Sequence, residues 1–272
     1  MTITLHDIIK YFDEIAPRHF SVRGYDNYVE IGGQTVYDQV NTAISKVIVC
    51  TYPSSKAVTT ATQEKANLLI SHWPLFNKGV SRLAGMELIK TRLLVKNYIS
   101  ALVLRSPWIA ARGGLSDAFM DALNLVRSGD YMILGESNER VPIGRVCEPH
   151  KTMNHSKLVT HVADKMSLQD VYFTGDLDEE VRNILVIPGN ILIPEDLRSI
   201  QNQDIGTIVT GEVTPEIRLH AGQAALNLLE LGAFVTEEPG MKRLKHQMSL
   251  EFPDLRVEFV DTPPISRTIR IK

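Results

Sequence analysis

Leu68-Leu69-Ile70-Ser71-His72-Trp73-Pro74-Leu75-Phe76 carries three consecutive apolar side chains into a histidine, an indole and a proline. The apolar run reads as a buried strand with His72 at its end. Upstream, Val47-Ile48-Val49 is a second β-branched run, and Ser54 or Ser55 can cap a helix reaching about Ala66. Downstream, a helix from about Ala84 to Lys96 leads into another apolar strand, Ile99 to Leu104. Strands alternating with helices in this way make a parallel α/β sheet, which places function at strand carboxyl ends.

The rest of the chain extends this pattern. Thr4 with Asp7 can cap a first helix whose apolar positions Ile8, Phe12 and Ile15 recur at helical spacing up to Pro17. Gly113-Gly114 interrupts the chain before a helix from about Ser116 to Asn124, and the polar stretch Arg127-Ser128-Gly129-Asp130 suits a crossing between domains. The expected division is a first α/β domain of residues 1–126, completed by 232–272, and a second of residues 127–231. In the second, Tyr131–Leu134, Ile143–Val146, Val171–Thr174, Ile184–Ile187 and Ile205–Val209 read as strands, with helices near Ser156–Met166 and Pro194. The last stretch is expected to hold a helix from about Thr214 to Leu231, a strand Ala233–Val235, a helix Met241–Leu250, and strands near Val257 and Ile269.

Composition excludes several classes. With 44% hydrophobic and 22% charged residues over 272 positions, the chain can bury one large or two small cores, so disorder is not the default. A net charge of -3 provides no basic field for nucleic acid or an anionic membrane. No run is long enough to span a bilayer and no leader pattern opens the sequence, so a cytoplasmic protein is expected. The two cysteines, Cys50 and Cys147, lie far apart in apolar strand-like settings; they read as buried structural thiols and exclude a cysteine-built zinc site.

Four segments together resemble the Nif-three-like family, whose bacterial members are often labelled GTP cyclohydrolase I type 2 homologues. Ala16-Pro17 and Asp26-Asn27-Tyr28-Val29-Glu30-Ile31-Gly32 are similar to its Ala-Pro and Asp-Asn-Val-Gly-Leu-x-x-Gly, with Glu30 departing from the pattern. Ile70-Ser71-His72-Trp73-Pro74-Leu75 looks like its Ile-Ser-His-His-Pro-Leu. Arg105 to Asp117 aligns without gaps to His-Thr-x-Leu-Asp-x-x-x-Gly-Gly-Val-Asn-Asp, with Gly113, Gly114 and Asp117 agreeing. Thr210-Gly211-Glu212 is followed, at the family's spacing, by Gly232-Ala233-Phe234-Val235-Thr236-Glu237, where relatives read Gly-His-x-x-Thr-Glu.

The resemblance implies a Nif-three-like fold of two α/β domains with a cleft between facing strand ends, assembled as a hexameric ring, a trimer of dimers. It also implies five side chains that hold two divalent ions. Carried over, those positions are His72, Trp73, Ile109, Ala233 and Glu237, and the histidine that opens the third motif is Arg105. Trp73 offers only an N–H donor, and Ile109 and Ala233 have no side-chain donor atom, so His72 and Glu237 are the residual metal positions. Repulsion between Arg105 and a divalent ion at about 5 Å would be roughly 7 kcal/mol at an effective dielectric near 20. Arg105 could instead pair with Glu237 or take a phosphate or carboxylate.

Read singly, these residues are less specific. His72 alone is an ordinary strand-end histidine, Trp73 and Trp108 are core or rim aromatics, and Glu237 is a solvated or paired acid. His150, His155 and His161 cluster in sequence but do not share a helical face. Ile187-Pro188-Gly189-Asn190 reads as a plain turn before an anion-binding one, and Ser54-Ser55 as a helix cap before a nucleophile. The resulting expectation is a non-catalytic binding or scaffold protein with no cofactor, a cleft lined by His72, Trp73, Arg105, Ile109, Ala233 and Glu237, and a small anionic or aromatic ligand. The alternative is a metal-dependent hydrolase or GTP cyclohydrolase type 2-like enzyme using zinc, iron or manganese, its site rebuilt around His72 and Glu237 by residues such as His220, Glu212 or Glu238.

Overall fold

The computed structural model describes residues 2–76 and 79–264. In chain order the strands are β1 (Tyr28–Ile31), β2 (Lys46–Cys50), β3 (Leu68–Ser71), β4 (Ser100–Val103), β5 (Val126–Leu134), β6 (Arg140–Glu148), β7 (Tyr172–Thr174), β8 (Asn183–Ile187), β9 (Ile205–Thr210), β10 (Asn227–Glu230) and β11 (Arg256–Phe259). The helices are α1 (Leu5–Ile15), α2 (Val36–Val40), α3 (Ser55–Gln63), α4 (Gly85–Lys96), α5 (Ser106–Ala110), α6 (Leu115–Leu123), α7 (His155–Met166), α8 (Asp196–Asn202), α9 (Pro215–Gln223) and α10 (Ala233–Glu251). The mixed α/β class expected from the sequence is the observed one. The expected strand near Ile269 lies outside the described residues.

Met1–Gly114, Leu134–Val141 and Met241–Pro263 form one compact unit, and Leu115–Ile133 with Pro142–Gly240 a second. In the first, the sheet order is β1-β4-β3-β2-β11. Strands β11, β2, β3 and β4 run parallel, and β1 closes the edge antiparallel to β4. Every residue of β2, β3 and β4 is buried, as expected of strands covered on both faces. Ile48, Leu69 and Ala101 pack against Ala57, Val58 and Ala61 of α3 and Leu94 of α4. The small alanines of α3 let the helix approach the sheet closely. Its start is fixed by the Ser54 hydroxyl, which accepts the Ala57 N–H at 3.2 Å.

In the second unit the sheet order is β5-β6-β8-β9-β10-β7, with β8, β9 and β10 parallel. Strands β6 and β7 pair antiparallel with β8 and β10. Phe119 and Leu123 of α6 join Leu158 and Val162 of α7 against Ile184, Val186 and Leu229. Cys147 is buried in this core, where burial pushes its thiol up to about 12; burial also raises the Cys50 thiol in the first unit. Both cysteines are free, as their apolar settings suggested.

Three local readings need correction. Ala233-Phe234-Val235 is the first turn of α10, because a three-residue apolar run carries no period that separates strand from helix. The stretch read as one helix to Leu231 is α9 followed by β10. The helix stops where Ala225 adopts φ 51° and the Leu226 N–H returns to the Ala221 carbonyl at 2.9 Å, a closure made without glycine or proline. Arg127–Asp130 lies inside β5, so its polarity reflects a solvated strand edge and an ion pair, Arg127 Nη2 to Asp130 Oδ1 at 2.6 Å. The limits of the two units accordingly differ from a division at 126 and 231: α6 belongs to the second unit and Leu134–Val141 to the first.

Candidate functional site

In the first unit, β3 delivers His72 and Trp73 to its carboxyl end, where both main-chain N–H groups donate to the Thr51 carbonyl, at 3.2 and 3.0 Å. His72 is buried, and its Nδ1 lies 2.7 Å from the Leu104 carbonyl. A carbonyl only accepts, so Nδ1 carries the proton and the neutral ring keeps its lone pair on Nε2. Burial, reinforced by the neighbouring Arg105 charge, pushes the imidazole down to about 3 and keeps it neutral.

Arg105 follows β4 and precedes α5. Its main-chain N–H donates to Asn27 Oδ1 at 2.8 Å, and its Nη1 donates to the His72 carbonyl at 3.1 Å. The guanidinium lies 4.7 Å from the Tyr25 ring centroid and 5.0 Å from that of Trp73. Trp73 in turn stacks on Tyr52, with centroids 5.3 Å apart and planes 12° from parallel. Ser106 places Tyr25 by donating its hydroxyl to the Tyr25 carbonyl and accepting the Val22 N–H at 3.0 Å. The result is a tier of Tyr25, Arg105, Trp73 and Tyr52, in which aromatic faces hold a planar cation.

Glu30 explains its departure from the family motif. Its carboxylate accepts the N–H groups of Leu75 at 2.8 Å and Phe76 at 3.0 Å, pinning the segment that follows Trp73. Burial raises this carboxyl above its ordinary value, against the lowering effect of the two N–H groups. Ile109 is buried on α5 and presents hydrocarbon only, and the buried Trp108 indole N–H has no partner among the described residues.

In the second unit, Ala233 and Glu237 stand four residues apart on one face of α10, and both are buried. The Ala233 N–H donates to Glu212 Oε1 at 3.2 Å, so Glu212 caps the helix. Gly189, at φ +74°, donates its N–H to the Thr236 hydroxyl at 2.9 Å, and a Cβ there would lie 2.6 Å from Glu237 Oε1. The turn after Ile187 therefore has its Gly189 N–H committed and a carboxylate against it, which argues for the plain-turn reading over anion capture.

The remaining candidates separate. His155 is structural, with Nδ1 on the Glu179 carbonyl at 2.9 Å and Nε2 on the Thr207 hydroxyl at 2.8 Å. His161 Nε2 donates to the Leu123 carbonyl at 2.7 Å, and His150 and His220 are exposed. Asp117 turns inward within the second unit as the partner of buried Arg145 Nε. Tyr25 and Tyr52 escaped the sequence reading because neither the aromatic itself nor its spacing marks it as a neighbour of Arg105. Asn27 stood in a quoted motif, but its side-chain partner was not legible there.

These features define a two-unit α/β protein whose first unit gathers its polar and aromatic groups at the carboxyl end of β3. Residues 3–264 match the family Duf34/NIF3 (NGG1p interacting factor 3), and the chain belongs to it. It is 25% identical over 258 residues to the GTP cyclohydrolase 1 type 2 homolog of Clostridium perfringens, covering 94% of this chain and 95% of that protein. The homolog of the same name from Clostridium acetobutylicum is 23% identical over 272 residues, covering 94% and 96%. The fold is shared with Staphylococcus aureus protein SA1388, with a TM-score of 0.83, 16% identity and 99% of each chain covered. It is also shared with a Bacillus cereus protein related to NIF3, with a TM-score of 0.81, 15% identity and full coverage of both chains.

Of the five positions that the resemblance marks as metal ligands, His72 and Glu237 have a side-chain lone pair to offer; Trp73, Ile109 and Ala233 bring an indole, a branched alkyl group and a methyl. Among the described residues no group of three or more His, Cys, Asp or Glu side chains is placed to hold an ion. No described helix is long and apolar enough to cross a membrane.

Proposed function

We propose that this protein is a metal-depleted NIF3-family member that binds a small anionic or aromatic ligand and does not catalyse. The observation that carries the reading is Arg105, seated between Tyr25 and Trp73 and donating to the His72 carbonyl, at the position where the family motif opens with histidine. A planar guanidinium held beside two aromatic rings suits recognition of a carboxylate or phosphate. The same positive charge beside His72 opposes a cation there. The cytoplasmic location and the hexameric ring implied by the resemblance belong to this proposal, and sedimentation velocity tests the assembly.

Nothing in the geometry favours rebuilt metal ligands: Glu212 caps α10, and His220 lies exposed on α9. The test is nucleotide turnover with zinc, iron or manganese supplied, run beside titration of Trp73 fluorescence with inorganic phosphate and benzoate. The proposal expects no metal-dependent turnover and a saturable response to one of the two anions that Arg105→Met abolishes. Metal-stimulated GTP hydrolysis would establish the enzyme reading instead.

A further inference from the structure

A helix that covers a parallel sheet normally hides an apolar stripe and leaves its outer side polar. In the first unit α4 departs from this. Leu94 is its one buried residue, while Met86, Ile89 and Val95, with Val80 and Leu83 just before the helix, are 42–57% exposed. The charges are also one-sided: residues 79–98 carry Arg82, Lys90, Arg92 and Lys96 against a single acid, Glu87. Glu87 stands seven residues before Leu94 and shares its side, whereas Ile89, Arg92 and Lys96 follow one another at spacings of three and four on a different side. Lys90 turns back to donate to the Pro53 carbonyl at 3.2 Å. The outer side of α4 is therefore apolar and positive, in a chain whose net charge is -3. An exposed apolar face with a charged rim marks an interaction surface.

The second unit carries a face of the opposite sign. Residues 170–180, which are β7 and the segment around it, hold Asp170, Asp176, Asp178, Glu179 and Glu180 and no cation. Tyr172 is 72% exposed and Leu177 45% exposed among them. Glu179 accepts from Asn227 Nδ2 at 2.8 Å and Asp176 from the Asp178 N–H at 2.9 Å, so both are tied to their own chain, while Asp178 and Glu180 are exposed. Arg218, a cation close to Tyr172, is spent on Glu230, Nη2 to Oε2 at 2.9 Å.

We infer that these two faces dock between copies of the chain, Met86 and Ile89 of one copy against Tyr172 and Leu177 of the next, with Arg92 and Lys96 against Asp178 and Glu180. The match of apolar-with-cation to apolar-with-carboxylate, both written in one sequence, makes a second copy the partner of each face. The contact joins unlike surfaces, so every copy uses both faces and copies add head to tail. Apolar burial supplies the affinity, and the charges set the register and disfavour α4 meeting α4, where like charges would oppose. The inference rests on the assembly included in the proposed function and names the surfaces that meet in it.

Sedimentation velocity of the full chain tests it, in the wild type, in a double variant Arg92→Glu with Lys96→Glu, and in a double variant Asp178→Lys with Glu180→Lys. The wild type is expected to self-associate, and more weakly at about 0.5 M salt, which screens exposed charge. Each double variant alone is expected to associate at least tenfold more weakly, because its two faces then carry the same sign. An equimolar mixture of the two is expected to recover association to within threefold, since each reversed face meets its complement on the other chain. A wild type that stays monomeric overturns the inference together with the assembly in the proposed function. An assembled wild type whose assembly ignores both variants leaves that assembly standing and overturns the pairing, as does a mixture that fails to recover. Binding of the wild type to phosphatidylserine vesicles through Arg92 and Lys96, without self-association, would put a membrane on α4 and overturns the pairing too.

Discussion

The Arg105 guanidinium carbon lies 5.0 Å from the centroid of the Trp73 ring and 4.7 Å from that of the Tyr25 ring. Cation–π contacts contribute about 0.5–1 kcal/mol when exposed and about 2 kcal/mol when desolvated. Arg105→Met is therefore expected to lower stability by about 1–2 kcal/mol in urea denaturation. Arg105→Lys should not recover that loss, because an ammonium cannot stack as a plane between two rings.

Acidification should report on His72. Its folded value of about 3 lies below the ordinary 6.5, so the unfolded chain binds the proton more readily. The stabilising effect of the neutral imidazole is complete above pH 6.5 and is lost progressively as pH falls toward 3. Each unit of depression corresponds to about 1.4 kcal/mol, so a loss of about 2 kcal/mol is expected between pH 6.5 and pH 5 from this group. Urea midpoints at the two pH values should show that slope in the wild type and a shallower one in His72→Gln.

Glu30 should behave as an acceptor that needs both of its oxygens, because the Leu75 N–H goes to one and the Phe76 N–H to the other. Glu30→Gln keeps one oxygen and sets an NH2 donor against the second N–H, so it is expected to cost about 1 kcal/mol or more. Glu30→Ala leaves both donors unsatisfied and should cost about 1–3 kcal/mol. Hydrogen exchange, faster at both amides in Glu30→Ala and at one of them in Glu30→Gln, locates the effect.

Asp117 agrees with the family motif yet is a structural residue of the second unit. It faces Arg145, whose Nη1 also donates to the Pro142 carbonyl at 2.7 Å, and the arginine is 1% exposed. Removing Asp117 leaves the buried Arg145 with the longer pair to Asp130 at 3.6 Å, so Asp117→Ala should cost about 3 kcal/mol in chemical denaturation, the low end for breaking a buried pair. Ligand binding by the protein that remains folded should be unaltered.

The sheets were legible where the chain writes long apolar runs: Val47–Val49, Leu68–Ile70 and Ile184–Ile187 all lie in strands whose covering on both faces leaves no alternative. The edge strand β1 was not read as a strand, since Tyr28-Val29-Glu30-Ile31 is half exposed and Glu30 is spent on a turn 45 residues away. The start of α10 was misread for want of a period. The motif frame marked His72, Trp73, Arg105, Ile109, Ala233 and Glu237; the first four lie in one unit and the last two in the other, whereas a division that gave 232–272 to the first domain put all six together. The aromatic seat of Arg105 was not readable, because contacts between Tyr25, Trp73 and Tyr52 depend on three separate strand ends converging, a consequence of topology and not of spacing.

Metal content tests the central claim most directly. Protein expressed with supplemented zinc, iron and manganese, then desalted without chelator, should carry no stoichiometric metal by inductively coupled plasma mass spectrometry. A variant combining Trp73→His, Arg105→His, Ile109→Asp and Ala233→His should regain it, since imidazole and carboxylate donors replace an indole, a cation and two alkyl groups. Two tightly held ions per chain in the wild type would contradict the account.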